Sequence, residues 1–140
     1  METKELMVGD WVTFKDCQYE NPMPIKIIAI GFQADGENDC LVQIVGDKGC
    51  DIITIDDEIV GIPLTAEILE KNGFRDIGDH WYDDAADYYE LEVEAYSDSI
   101  WRVIYHNTEF NIGDERVFVS HIHELQHALR LFGIKREIEL

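Results

Sequence analysis

The chain has 140 residues, of which 30 are acidic and 11 basic, leaving a formal charge of −19. That length suits one domain, or two very small ones, burying roughly two-thirds of the unfolded surface. The charge disfavours phosphate-rich partners, so direct binding to nucleic acid or to an anionic membrane is excluded, and the acidity reads first as solubility and self-repulsion.

Leu6 to Phe14 is rich in strand formers and carries a Gly9-Asp10 corner, so it is predicted as the first strand. Pro22 and Pro24 restrict the next connection, and Ile25 to Phe32 is the second strand. Cys40 to Val45 and Cys50 to Ile55 form a hairpin across Gly46-Asp47-Lys48-Gly49, whose glycines accept positive φ. A short fifth strand spans Glu58 to Ile62. Five short strands in about sixty residues predict a small SH3-like β-barrel or bent antiparallel sheet over residues 1–63.

Pro63-Leu64-Thr65 opens a helix. Thr65 is the expected N-cap, Leu64 and Leu69 form a hydrophobic staple, and Gly73-Phe74 predicts a Schellman ending over Leu69. From Asp76 to Asp98 there are nine carboxylates and no Lys or Arg. Tyr89, Leu91, Val93 and Ala95 nevertheless alternate with Glu90, Glu92 and Glu94, the period of a strand with one buried face and one carboxylate-lined face. Ser97-Asp98-Ser99 turns into a strand from Ile100 to Tyr105. Glu109 to Ile112 and Arg116 to Val119 are predicted as two further strands around Gly113-Asp114. Ser120 is the expected N-cap of a closing helix with an apolar stripe of Ile122, Leu125, Leu129 and Phe132, stopped by Gly133. Ile134 to Leu140 alternates and is expected to add an edge strand. The fold class is therefore α+β, with residues 64–140 forming a helix, meander and helix that share one core with the N-terminal half.

Three stretches, Leu6-Met7-Val8-Gly9-Asp10-Trp11-Val12, Ile62-Pro63-Leu64-Thr65 through Gly73-Phe74, and Ile122-His123-Glu124-Leu125-Gln126, frame nearly the whole chain. In that order they resemble a family of small uncharacterised proteins of gut anaerobes and their phages. Relatives often read His-Gln-Leu-Gln-Asn where this chain has His123-Glu124-Leu125-Gln126-His127. The resemblance thus implies that Glu124 and His127 are local variations, and it implies no activity, substrate or cofactor.

His123-Glu124-x-x-His127 matches the H-E-x-x-H pattern, in which two imidazoles one turn apart bind zinc and a glutamate activates water. Arg130 stands where a metzincin glycine would be and Gly133 where its third histidine would be. An upstream third ligand among His80, His106 or His121 keeps a zinc-peptidase alternative open. The wheel places His123 and His127 opposite the apolar stripe, as solvated positions, with His121 nearer the stripe. No phosphate loop, EF-hand spacing or nucleophile-base arrangement stands out, so neither a catalytic residue nor a cofactor is assigned. Tyr82, Asp83, Asp84, Asp87, Tyr88, Glu90, Glu92, Glu94 and Tyr96 form the candidate partner-binding patch, aromatic and acidic together.

The leading expectation is a non-enzymatic acidic module that binds a protein partner. The alternative is a nucleic-acid mimic, since carboxylates on every second strand residue repeat at about 7 Å, close to the phosphate spacing of one strand. Cys17, Cys40 and Cys50 are odd in number and lack C-x-x-C pairing, Met1 to Val8 does not read as a targeting segment, and no apolar run is long enough for a membrane span. A cytoplasmic, reduced protein is expected.

Overall fold

Gly9 adopts φ +96° in a turn that returns the Asp10 amide to the Met7 carbonyl at 3.1 Å. The Asp10 carboxylate, fully buried, accepts the Met7 amide at 2.7 Å. This corner delivers the chain into β1, Trp11–Phe14. The computed structural model describes residues 6–17, 23–32, 38–44, 51–55, 58–78, 80–83, 89–107 and 112–140, which divide into two units, Met1–Ile62 and Pro63–Leu140.

In the first unit, β1 is followed by a 3-10 turn at Lys15–Cys17, β2 at Ile25–Phe32, β3 at Asn38–Ile44, β4 at Asp51–Ile55 and β5 at Ile59–Gly61. They form an antiparallel sheet in the order β4-β3-β2-β1-β5, with an irregularity between Ile27 and Ala29 that bends β2. The sheet is open in this order; among the described residues no barrel closure pairs β4 with β5. Val12, Ile25, Ile27, Cys40, Val42 and Ile59 are wholly buried and form the core of this unit. The expected Gly46-to-Gly49 connection lies outside the described residues.

The second unit opens with α1, Ala66–Lys71. Thr65 caps it by accepting the Ile68 amide, and Gly73, at φ +86°, ends it. The Phe74 amide reaches the Leu69 carbonyl at 3.0 Å and the Gly73 amide reaches Glu70 at 3.1 Å, the two bonds of a Schellman turn. Strands β6, Arg75–Asp76, β7, Trp81–Asp83, β8, Tyr89–Ser97, β9, Ile100–Asn107, and β10, Ile112–Val119, make a second antiparallel sheet in the order β10-β9-β8-β7-β6. The expected break at Gly113-Asp114 is instead a bulge within one strand, because the register with β9 shifts between Ile112 and Glu115 and then resumes. The short strands β6 and β7 have too few residues to show a period, and their carboxylates read as loop.

The last helix, α2, spans Ile122–Leu131. Its N-cap is His121, not Ser120, because the Ser120 carbonyl accepts the Leu64 amide at 3.0 Å and the chain is still extended there. At the other end Ile134 donates to Leu129 and Gly133 to Arg130, a second Schellman turn with Gly133 at φ +79°. The helix covers one face of the sheet, where Phe132 stacks on Tyr105 at 4.7 Å. Residues 134–140 do not form the expected edge strand. They alternate in burial, with Ile134 and Ile138 buried, yet they pair with no strand among the described residues. Among the described residues no helix is long and apolar enough to cross a membrane.

Candidate functional site

The register of the second sheet sorts its side chains into two faces. Asp83, Leu91 and Tyr105 stand in one row, and Trp81, Val93, Val103 and Val117 in the next, all on the helix-covered face. The opposite face carries Arg75, Tyr82, Glu92, Ile104 and Arg116 in one row across five strands, with Glu94, Arg102 and Phe118 in the neighbouring row.

On this second face the acidic row is half-buried and partnered rather than bare. Glu92 lies 3.5 Å from His106 and 4.0 Å from His80. Glu94 accepts the Arg102 Nε at 2.5 Å and also pairs with its terminal nitrogen. Glu90 stands opposite His106 in the register. Tyr82 is half-buried beneath the Arg75 guanidinium, 5.4 Å from its ring centre. Tyr96 is 59% exposed, and its ring meets that of Phe118, 55% exposed, at 4.9 Å and 58°. The Arg102 guanidinium lies 5.8 Å over Tyr96, and Ile100 is also exposed beside the turn into β9. Sequence reasoning includes Tyr96 but misses Phe118, Ile100 and Arg102. Only the register between β9 and β10 brings them to Tyr96, although an aromatic in the exposed phase of an alternating strand is a usable signal.

Asp83 is corrected from patch to interior. It is 3% exposed, ion-paired to Arg136, and its Oδ2 accepts the Tyr89 hydroxyl at 3.2 Å. Burial, and then the adjacent Asp83 carboxylate, raise the Tyr89 pKa, so the phenol stays protonated and donates. The correction has a simple cause: the cation that neutralises Asp83 lies 53 residues away. Asp84, Asp87 and Tyr88 lie outside the described residues.

The H-E-x-x-H stretch is also rearranged. His123 is 5% exposed, with a buried Nδ1 that has no hydrogen-bond partner. The solvated placement is thus wrong for His123, because α2 is buried over more than its aliphatic stripe: His123 and Gln126 are covered while Leu131 is exposed. Burial lowers the His123 pKa to about 4; His121 and His127 push the same way and Glu124 opposes them. The three rings are neighbours, with His121 and His127 each 5.6 Å from His123 between centres. Glu124 accepts His121 Nδ1 at 2.5 Å. Among the described residues no three His, Cys, Asp or Glu side chains are grouped to hold a metal ion.

Two side-chain amides that hold main chain, Gln126 buried and Asn72 half-buried, are a feature that sequence reasoning missed. Gln126 Nε2 donates to the Arg136 carbonyl and its Oε1 accepts the Ile138 amide, both at 2.7 Å. Asn72 does the same for Glu139, donating to its carbonyl and accepting its amide at 2.8 Å each. The signal for Gln126 is its place at i+4 from Ile122 and i−3 from Leu129, on the apolar stripe. Beside it a hollow of about 360 Å³ opens between α2 and residues 133–137. No family model, no curated protein and no solved structure matches the chain.

Proposed function

We propose that the chain is a non-enzymatic interaction module that docks a protein partner through the exposed end of its second sheet. The observation that carries this reading is the Tyr96–Phe118 pair in solvent, with Ile100 beside it and Arg102 stacked over Tyr96. Aromatic residues and arginine supply most interface hot spots, because they bury large area with few rotamers to fix. A paired Glu94 and Arg102 at the edge supply polar partners without an isolated charge to desolvate. The partner is a protein with an apolar cleft for the two rings.

The nucleic-acid mimic is the second reading, and its support is the Glu90, Glu92 and Glu94 row on one strand face. Its weakness is that Glu92 and Glu94 already face cations or imidazoles, which leaves less free charge to stand in for phosphates. The zinc-peptidase reading would need His123 to swing out of the interior. The reading includes an SH3-like first unit, supported by the order β4-β3-β2-β1-β5, and a cytoplasmic location, supported by an odd number of cysteines without C-x-x-C pairing.

The test is affinity capture from source-cell extract with the wild-type chain beside a Tyr96→Ala/Phe118→Ala variant of equal thermal stability. A protein retained by the wild type, lost with the variant and rebound in purified form is the expected result. Identical retention by both chains would overturn the docking face.

A further inference from the structure

Segment Ile134–Leu140 is held in a way that differs from the rest of the fold. Residues 134, 136, 138 and 140 turn inward and 135, 137 and 139 outward, the period of a strand. Its main chain at 136, 138 and 139 is nevertheless gripped by the side-chain amides of Gln126 and Asn72. An amide that satisfies both a carbonyl and an N–H reads extended backbone without reading sequence. Peptide-binding grooves combine such main-chain bonds with pockets for alternate side chains.

The seat also has a selective position. The Arg136 guanidinium reaches the buried Asp83 and lies 5.1 Å over the Phe74 ring. A carboxylate so covered is costly to bury without a cation, so a segment lacking arginine at this position leaves it unpaired. Ile134 and Ile138 are buried on either side. Two features make the segment separable. The hollow beside α2, lined by Gln126, Arg130 and residues 133–137, runs along one side of it, and Gly133, where the segment departs, has open space around its Cβ position.

We infer that the groove formed by Asn72, Asp83, Gln126 and Phe74 is a peptide-binding site, that residues 134–140 are its tethered occupant, and that it accepts in exchange an extended partner segment of pattern aliphatic-x-Arg-x-aliphatic. This goes beyond the docking face described above: the groove belongs to the helix-covered face of the sheet and leaves Tyr96 and Phe118 untouched. A tethered occupant acts at high effective concentration, so the exchange is weak until the resident segment is loosened.

The experiment uses the full chain carrying Ile138→Asp, which loosens the resident segment, and a fluorescent peptide Ile-Lys-Arg-Glu-Ile-Glu-Leu. Saturable binding is expected, weakened about tenfold or more when the peptide arginine becomes alanine or when Asp83→Asn is added. In parallel, hydrogen exchange on the wild-type chain reads the Ile138 and Glu139 amides, which should exchange faster once peptide exceeds the tether's effective concentration, on the order of millimolar. This arm needs no substitution and remains decisive if Ile138→Asp fails to fold. Uptake that ignores the peptide arginine, or amides indifferent to added peptide, would overturn the inference. Self-association of the wild-type chain abolished by Asp83→Asn would assign the seat to a second copy and overturn it as well.

Discussion

His123 shows how far one residue can depart from its apparent polarity. Its folded pKa of about 4 lies below the ordinary 6.5, so between those values the unfolded chain binds more protons than the folded one. The stabilisation is therefore complete above pH 6.5 and is lost as pH falls toward 4. At pH 5 the loss amounts to about 2 kcal/mol. Urea unfolding of the wild type and His123→Gln at pH 7 and pH 5 checks this: the variant should lose distinctly less stability than the wild type on acidification. Asp83 differs in kind, as a buried carboxylate paired with a distant arginine. Asp83→Ala strands Arg136 and the Tyr89 hydroxyl and should cost about 3 kcal/mol by denaturant titration at neutral pH.

Among the elements, α2 contributes the largest wholly buried side chains on one helix. Ile122, Leu125 and Leu129 have no exposed area. Leu125→Ala or Leu129→Ala should each cost about 2–5 kcal/mol by opening a cavity under the helix. Gln126→Ala acts differently, leaving the Ile138 amide and Arg136 carbonyl without their partner, and should cost about 1–3 kcal/mol. Hydrogen exchange distinguishes the two, since Gln126→Ala should release residues 136–139 before the helix, whereas the leucine variants loosen both together. The element boundaries that were legible from residues are those with local causes. Thr65, Gly73 and Gly133 act through bonds within a few residues, and each performs the role its residue type implies. Ser120 does not, because its carbonyl is committed to Leu64, a partner 56 positions earlier.

At the scale of the whole molecule, 30 carboxylates against 11 basic groups make self-repulsion a term in stability. Raising ionic strength from about 0.01 M to about 0.15 M shortens the Debye length from about 30 Å to about 8 Å. The thermal midpoint should rise over that interval, read by calorimetry. A midpoint that falls would mean that the paired groups, Glu94 with Arg102 and Asp83 with Arg136, outweigh the net repulsion.

Alternation and capping determined a great deal unaided: α+β class, the buried phase of Tyr89, Leu91 and Val93, the cap at Thr65 and the glycine stops. Those are properties of three to nine consecutive residues, whose geometry does not wait for the rest of the chain. The exposed Tyr96–Phe118 pair, the withdrawal of Asp83 and His123 from solvent, and the amide grip on residues 134–140 were decided by the tertiary structure alone. Each depends on a partner 10 to 67 residues away or, for His123, on what covers a helix. Polarity at a position states what a side chain costs to bury; only the packed fold supplies the group that offsets the cost.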